Sequence, residues 1–283
     1  MTAIDHIRDD VAALPLWDGR PVFEALPGGI SNLSFVATDR SGKYAVRLTR
    51  DFPFHNVYRA REVAVARAAH AAGFAPEVVY AEPGLMISRF LDARPLKPED
   101  VRRDIARIVE LLLRFHREMQ APIGDYAFDV FAVNRGYMDA LGSTEWTTLN
   151  ERLEAMQGSL APVFAHHDLL AGNILDDGTR LWLIDFEYSG SGSPMFDLAN
   201  LSSNAGFSAT ERDMLLRTYF GSGGDFMRAH RAMEAASLLR EALWSLVSAR
   251  HIHERDVDYV AYAEVNFARL RDVLRDLPEA ITP

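Results

Sequence analysis

The 283-residue chain contains no cysteine. Disulfides, thiolate nucleophiles and cysteine-ligated zinc sites are therefore excluded, and a reducing compartment, with the cytoplasm as the default, is the expected location. No apolar run reaches the roughly 20 residues that a membrane-spanning helix needs. The first residues, MTAIDHIRDDVAAL, alternate charged and apolar side chains instead of forming a signal peptide. We therefore expect neither export nor membrane insertion.

Basic residues are also scarce relative to acidic ones. The 30 Lys and Arg residues are outnumbered by 40 Asp and Glu, which gives a formal net charge of -10 at pH 7. A negative protein repels phosphate backbones, which argues against binding to nucleic acids or anionic membranes. A small cationic partner suits this charge better, and a homodimer is left open.

With 48% hydrophobic residues, the chain can bury a sizeable core and should form about two lobes. The first, over residues 1–91, is predicted to be a small antiparallel sheet with one crossing helix. Its elements are expected at 2–14 and 58–72 (helices) and at 22–26, 33–38, 44–48, 77–80 and 85–90 (strands).

The second lobe, over residues 92–283, is predicted to be mainly helical, so the fold class is α+β. Its helices are expected at 98–119, 137–141, 146–156, 229–253 and 256–277, with a capping box at 208–211. Short strands are expected at 163–165, 174–176 and 181–186, where polar loops cluster.

The strongest chemical signal is the string His166-His167-Asp168-Leu169-Leu170-Ala171-Gly172-Asn173, followed by Asp185 after an apolar strand. Phosphoryl transfer needs a carboxylate beside the attacking hydroxyl and oxygen ligands for magnesium. Asp168 and Asn173 have the Asp-x-x-x-x-Asn spacing of kinase catalytic loops, and Asp185 stands where those enzymes place a magnesium-binding carboxylate.

Two other interpretations of this segment are open. Asp168 and Asn173 are residue types that commonly satisfy the backbone of a polar turn. Alternatively, His166 and His167 could bind a metal together with the two aspartates. The joint spacing with Asp185 favours the kinase interpretation over both.

Upstream residues could complete a nucleotide site. The loop Leu26-Pro27-Gly28-Gly29-Ile30-Ser31-Asn32 joins two predicted strands, and its glycines would let backbone amides approach phosphates. Arg47 ends a strand where a kinase holds its phosphate-binding basic residue, and Glu62 lies on the next predicted helix. Plain hairpin and surface roles are the alternatives for these residues.

Together these segments resemble the choline/ethanolamine kinase branch of the aminoglycoside phosphotransferase-like kinases, over nearly the whole chain. The shared motifs are Gly28-Gly29-Ile30-Ser31-Asn32, Tyr44-Ala45-Val46-Arg47-Leu48, His167-Asp168-Leu169-Leu170-Ala171-Gly172-Asn173, Ile184-Asp185-Phe186-Glu187-Tyr188 and Phe196-Asp197-Leu198-Ala199-Asn200.

The resemblance implies a two-lobe, protein-kinase-like fold that uses ATP and Mg2+. Asp168 would be the catalytic base, and Asn173 and Asp185 would bind magnesium. Arg47, oriented by Glu62, would take the place of the usual lysine at the ATP phosphates, near Gly29, Ser31 and Asn32 in the glycine loop. Asp197 would brace the catalytic loop through hydrogen bonds.

For the acceptor, the resemblance places Tyr188 and Trp244 at an amino-alcohol pocket, where aromatic faces bind quaternary ammonium groups. Asp168 and Glu187 would add negative potential. The chain departs from the family pattern at Val247, where a second tryptophan is usual. Residues 189–193, Ser-Gly-Ser-Gly-Ser, suggest an exposed, adaptable loop beside Tyr188.

The sequence therefore predicts an ATP- and magnesium-dependent kinase of choline, ethanolamine or a related amino alcohol. Kinases of an aminoglycoside, thiamine, a sugar or a hydroxylated amino acid are the nearest alternatives. A catalytically silent nucleotide-binding regulator is disfavoured, since Asp168, Asn173 and Asp185 are all present. A protein kinase is disfavoured because no arginine separates His167 from Asp168.

Overall fold

The computed structural model describes residues 9–26, 33–120, 126–252, 257–277 and 280. The first part of the chain forms one antiparallel sheet with the strand order β1-β2-β3-β5-β4. Its strands are β1 Val22–Ala25, β2 Leu33–Asp39, β3 Gly42–Leu48, β4 Val78–Glu82 and β5 Leu85–Arg89.

The two faces of strand β3 explain how this sheet positions a site. Tyr44 and Val46 are buried in an apolar cluster with neighbouring strands. The alternate residues, Ala45 and Arg47, line a cleft on the opposite face. Because side chains alternate along a strand, the residues that build the core also aim Arg47 into the cleft.

Helix α1, Arg59–Ala71, follows the first three strands and packs against β4. It buries Val65, Ala66 and Ala69 and stops before Gly73, whose φ of 81° is left-handed. This region therefore has the predicted sheet and crossing helix.

The remainder is mainly helical around the 28-residue helix α8, which packs against five other helices. The helices are α2 Pro98–Arg103, α3 Ile105–Glu118, α4 Val130–Leu141, α5 Thr147–Met156, α6 Pro194–Ala205, α7 Ala209–Phe220, α8 Gly224–His251 and α9 Tyr259–Arg275. The short strands are β6 Arg94–Pro95, β7 Val163–Ala165, β8 Ile174–Asp176, β9 Leu181–Leu183 and β10 Gly190–Gly192.

Several predicted boundaries differ from those observed. The predicted helix at 98–119 is two helices that meet at Asp104, which ends α2 and begins α3. The predicted strand at 181–186 ends at Leu183, because Asp185 has a φ of 69° that no strand accommodates. Of the N-terminal helix predicted at 2–14, residues 9–12 are helical and residues 1–8 lie outside the described residues.

Helix α6 was not predicted from the sequence. It has a proline at its start and ends at Gly206, whose φ is 68°. Every residue from 194 to 203 is buried. A helix buried on all sides lacks the apolar stripe of 3.6-residue period that reveals an amphipathic helix.

The prediction of an exposed loop at 189–193 is wrong. Ser189 is buried, and β10 pairs antiparallel with β7. A Cβ atom on Gly192 would overlap the imidazole of His167. The glycine there permits close packing of two backbones, which a composition-based argument mistakes for mobility.

The capping box at the start of α7 is as predicted. Ser208 Oγ accepts a hydrogen bond from the Glu211 amide, and the Glu211 carboxylate accepts one from the Ser208 amide. None of the helices in the described part of the chain has the length and hydropathy required to cross a bilayer.

Adjacent leucines on α3 give a test of the core. Leu112 is fully buried, whereas its neighbour Leu113 is exposed. We expect Leu112→Ala to lower the free energy of unfolding by about 2–5 kcal/mol, because it leaves a cavity. Leu113→Ala should change it by less than about 0.5 kcal/mol. Urea unfolding of the two variants measures this, and equal losses would contradict the packing of α3.

Candidate active site

The loop that follows strand β7 is held by Asp197 of helix α6. Asp197 accepts hydrogen bonds from the backbone amides of His166 (2.9 Å) and His167 (2.7 Å). The imidazole of His116 lies 2.9 Å from the same carboxylate. Burial alone would raise the pKa of Asp197, but the His116 hydrogen bond and the nearby imidazoles hold it well below its usual value. Asp197 therefore braces the loop, as predicted.

Both histidines of the loop contact protein groups, His166 through both ring nitrogens and His167 through Nδ1 and its ring face. His166 Nε2 lies 3.0 Å from the Ile184 carbonyl oxygen, and His166 Nδ1 accepts a hydrogen bond from the Asp168 amide. His167 stacks on Phe128 with its Nδ1 3.2 Å from the Tyr188 carbonyl oxygen. Burial lowers the pKa of His167 to about 4. This arrangement disfavours the interpretation of the two histidines as metal ligands.

Asp168, Asn173 and Asp185 line one cleft of about 670 Å³. Asn173 Nδ2 donates a hydrogen bond to the Asp168 carbonyl oxygen (2.9 Å), and the Ile184 amide donates one to the Asn173 carbonyl oxygen (3.0 Å). Asp185 has a left-handed backbone, which a short polar residue tolerates better than a branched apolar one. The three predicted residues are thus brought together by the turn at 171–173 and by the end of β9.

Arg47 and Glu62 are also brought together with Asp185. Arg47 Nη1 donates to Glu62 Oε1 (2.7 Å), and Arg47 Nη2 donates to Asp185 Oδ1 (3.0 Å). Burial raises the pKa of Asp185, but the Arg47 guanidinium outweighs burial and holds it below its usual value. Arg47, on strand β3, therefore contacts helix α1 in its own lobe and the residues that follow strand β9 in the other lobe.

Arg59, which the sequence analysis missed, contacts the same carboxylates. Arg59 Nη1 donates to Glu62 Oε2 (2.6 Å) and to Glu187 Oε2 (2.7 Å). Glu187 therefore pairs with an arginine at the cleft wall. Burial, followed by the nearby Asp185 charge, raises the pKa of Glu187 to about 7. The spacing Arg59-x-x-Glu62 on a predicted helix face was the signal available in the sequence.

Tyr188 and Trp244 meet at the other end of the cleft. Tyr188 is buried, and its hydroxyl oxygen accepts a hydrogen bond from Trp244 Nε1 (3.0 Å). Trp244 stacks on His55 with ring centroids 5.1 Å apart. His55, which the sequence analysis missed, lies 3.0 Å from the Tyr137 hydroxyl, and burial lowers its pKa to about 3.

Arg240 of helix α8 is the second missed residue at this end. Its side chain is only 2% exposed, and Nη1 lies 3.7 Å from Asp168 Oδ1 and 2.9 Å from Glu241 Oε1. Burial raises the pKa of Asp168, and the Arg240 charge opposes this effect. On a helix rich in charged residues, nothing in the sequence distinguishes Arg240 from a surface arginine.

The opposite end of the cleft is a mainly apolar slot between the two lobes. Its walls come from the sheet and from strands β8 and β9 with their flanking residues, and include Ala45, Met86, Leu91, Leu175 and Ile184. Such a slot has the shape and polarity that a nucleobase requires. Gly29, Ser31 and Asn32 lie outside the described residues; Leu26 and Ser34, on either side of that loop, line the same cleft.

The donor set fits a magnesium ion shared with phosphates. The amide nitrogen of Asn173 donates a hydrogen bond inside the loop, so its amide oxygen is the atom that can bind a cation. Asp185 has a second carboxylate oxygen besides the one that Arg47 contacts. Within the described ranges, no three acidic, histidine or cysteine side chains cluster closely enough to hold a metal alone. Magnesium in kinases is held by only one or two protein oxygens plus phosphate and water, which matches this pair.

Comparison with known proteins agrees with this geometry. Residues 22–236 match the sequence model described as "Phosphotransferase enzyme family". Protein LicA of Haemophilus influenzae is 24% identical over 77% of this chain and 70% of its own length. A probable ethanolamine kinase of Arabidopsis thaliana is 27% identical over 62% of this chain and 54% of its own length.

A solved structure shows the same fold. The choline/ethanolamine kinase family protein of Mesorhizobium loti is 28% identical, with a TM-score of 0.79 over 98% of this chain and 97% of its own. The predicted two-lobe, kinase-like α+β fold and the resemblance to choline/ethanolamine kinases are therefore confirmed.

The Asp197 brace gives a prediction about stability. In Asp197→Asn one acceptor oxygen becomes an amide nitrogen, so a buried N–H loses its partner at a cost of about 1–3 kcal/mol at pH 7. Because the folded pKa of Asp197 is depressed, its contribution is present above the ordinary value of about 3.9 and is lost as the pH falls. The difference between wild type and variant should therefore shrink from pH 7 to pH 3.

Urea unfolding at several pH values measures this difference. Asp272→Asn is the matched control, because Asp272 forms an exposed ion pair with Arg275. Its effect should be small at every pH. A difference between wild type and Asp197→Asn that did not depend on pH would contradict the assignment of a charged, hydrogen-bonded Asp197.

Proposed function

Because the chain belongs to the phosphotransferase enzyme family, we propose that it transfers the γ-phosphoryl group of ATP to the hydroxyl of a small amino alcohol such as choline or ethanolamine, with Mg2+. The observation that carries this proposal is the convergence of Asp168, Asn173 and Asp185 with Arg47 in one cleft. Each of these residue types has a defined task in phosphoryl transfer.

Asp168 is the proposed base. Its carboxylate accepts the proton of the acceptor hydroxyl while that oxygen attacks the γ-phosphorus, and ADP leaves. Arg240 at 3.7 Å favours the ionised form that a base requires, against the effect of burial. The loop anchored on Asp197 fixes the position of Asp168 relative to the cleft.

The phosphates are proposed to lie between Arg47 and the magnesium ligands. A guanidinium stays charged and can pair with two phosphate oxygens. Glu62 orients Arg47, and Asn173 and Asp185 would hold the magnesium ion, which neutralises charge on the phosphates when bound. Gly29, Ser31 and Asn32 are proposed to approach the phosphates from the preceding loop.

The amino-alcohol acceptor is supported by the names of the relatives and by the charge of the cleft. The walls carry Asp168, Glu187 and Glu241, together with the aromatic residues Tyr188 and Trp244. Acidic and aromatic groups both attract an ammonium ion. The relatives include a probable ethanolamine kinase and a choline/ethanolamine kinase family protein.

The two lobes are proposed to bind different substrates. Residues 1–91 are proposed as the nucleotide-binding lobe and residues 92–283 as the catalytic and acceptor-binding lobe. No nucleic-acid partner is proposed for a chain with a net charge of -10. A cytoplasmic setting, where ATP and magnesium are available, is proposed.

Asp168→Asn tests the proposed base. This change removes the proton acceptor while it keeps the shape, so kcat should fall by about 10²–10⁴-fold with ethanolamine as acceptor. The affinity for ATP, measured by calorimetry, should change little. Asp139→Asn, an exposed aspartate on α4 far along the chain from the loop, is the control and should keep full activity. Wild-type turnover in Asp168→Asn would contradict the assignment.

An acceptor panel tests the substrate class. Release of ADP from ATP, or of GDP from GTP, is measured with Mg2+ across choline, ethanolamine, thiamine, aminoglycosides, small sugars and hydroxylated amino acids. We expect ADP release with the first two compounds and phosphorylated amino alcohol in the product mixture. Turnover only with another class would keep the kinase and reject the acceptor, and no turnover with any acceptor would contradict the proposed function.

A further inference from the structure

At the acceptor end of the cleft, the positively charged side chain of Arg240 lies against aromatic rings. The guanidinium of Arg240 lies over the ring of Tyr188, with its central carbon 4.4 Å from the ring centroid. It also lies 5.6 Å from the centroid of Phe128. This is the distance at which a cation is attracted to an aromatic face. Arg240 therefore occupies a position that a quaternary ammonium group would otherwise take.

The second aromatic residue is partly covered as well. Trp244 stacks on His55 at an interplanar angle of 22°, and it forms an edge-to-face contact with Tyr259, with the ring centroids 5.9 Å apart. One face of the indole is thus used inside the protein. A cage of several free aromatic faces, which quaternary ammonium ions need because they cannot donate hydrogen bonds, is not built from these two rings.

Carboxylates replace the missing aromatic faces. Glu241 lines the cleft, and its Oε1 atom accepts a hydrogen bond from Arg240. Its Oε2 atom remains for a ligand. Tyr262 lines the same wall. An ammonium ion that carries hydrogens can donate charge-assisted hydrogen bonds to a carboxylate, whereas a trimethylammonium group has no N–H to donate.

We propose that Arg240 and Glu241 make this pocket selective for amino alcohols whose nitrogen carries hydrogens, against quaternary ammonium alcohols. Arg240 fills the face of Tyr188 and orients Glu241, and Glu241 accepts the N–H of the acceptor. This inference rests on the proposed function and refines its substrate class. It makes Glu241 a binding residue and Arg240 a specificity-determining residue.

The first test compares four acceptors that differ only in methylation: ethanolamine, its N-methyl and N,N-dimethyl forms, and choline. The protonated nitrogen of these compounds carries three, two, one and no hydrogens. We expect kcat/KM to fall along the series, by about tenfold or more from ethanolamine to choline. Equal or better use of choline by the wild-type protein would overturn the proposal.

Variants separate the two residues. Glu241→Gln should lower kcat/KM for ethanolamine by about tenfold and for choline by much less, because ethanolamine loses a charge-assisted hydrogen bond whereas choline loses only electrostatic attraction. Arg240→Met should improve choline relative to ethanolamine by about fivefold or more, because it frees a ring face. A ratio that is unchanged in Glu241→Gln would overturn the proposal.

Arg231→Met is the matched control for Arg240→Met. Arg231 is a buried arginine on the same helix that pairs with Glu234 and Asp276 instead of the cleft residues. Its loss should reduce stability without altering the ratio between acceptors. If Arg240→Met fails to fold, the methylation series and Glu241→Gln still decide the proposal.

Two further arms keep this inference distinct from the proposed function. Calorimetry without nucleotide measures amine binding directly, so selectivity can be tested even if no amine is phosphorylated. Absence of phosphorylation would reject the proposed function but not the inferred selectivity. L-serine is added to the series as a hydroxylated acceptor that also carries a carboxylate. Preference for L-serine over ethanolamine would show that Arg240 binds an acceptor carboxylate, and would overturn the proposal.

Discussion

A chain of alternating charges, buried or partly buried, joins the two lobes, and the cleft depends on it. Arg47 bridges Glu62 and Asp185, and Arg59 bridges Glu62 and Glu187. Because a buried charge that loses its partner is strongly destabilising, each member of the chain constrains the next. When Glu187 is ionised, the three carboxylates exceed the two guanidiniums by one negative charge, beside the place where a magnesium ion is proposed to bind. The same contacts therefore hold the lobes together and set the electrostatics of the site.

The catalytic loop is fixed in a different way. Asp197 is fully buried in helix α6, which has no exposed face over most of its length. Its carboxylate accepts hydrogen bonds from two backbone amides of the loop. The adjacent His167 adopts a left-handed backbone that costs energy unless its surroundings hold it. The close approach of Gly192 to His167 is part of those surroundings. A structural aspartate and a closely packed glycine thus position Asp168 without themselves lining the cleft.

Local patterns predicted much of this arrangement, and the misses have a common physical cause. The strands around Tyr44 and the spacing of Asp168, Asn173 and Asp185 are local signals that the sequence displays directly. Arg59, Arg240 and His55 were missed because the contacts that place them in the site, with Glu187, Asp168 and Ser248 respectively, join residues far apart in sequence. A buried charged residue of this kind looks like a surface residue in the sequence. Helix α6 was missed because full burial removes the amphipathic period that pattern analysis reads. The strand at 190–192 was missed because its Gly-Ser-Gly composition is typical of a loop.

The proposed acceptor pocket shows why family membership alone does not define a substrate. Tyr188 and Trp244 are present as the family resemblance implies, yet one face of each ring is occupied by Arg240 or His55. The substrate preference of the pocket therefore has to be inferred from the contacts of its side chains and not from the residue types alone.

The most direct test of phosphoryl transfer follows the acceptor oxygen. Ethanolamine labelled with 18O in its hydroxyl is incubated with the protein, ATP and Mg2+, and the products are analysed by mass spectrometry. The account predicts one phosphorylated ethanolamine per ADP, with the 18O label in the oxygen atom that bridges carbon and phosphorus. Release of ADP with free phosphate and unmodified ethanolamine, or formation of AMP in place of ADP, would contradict it.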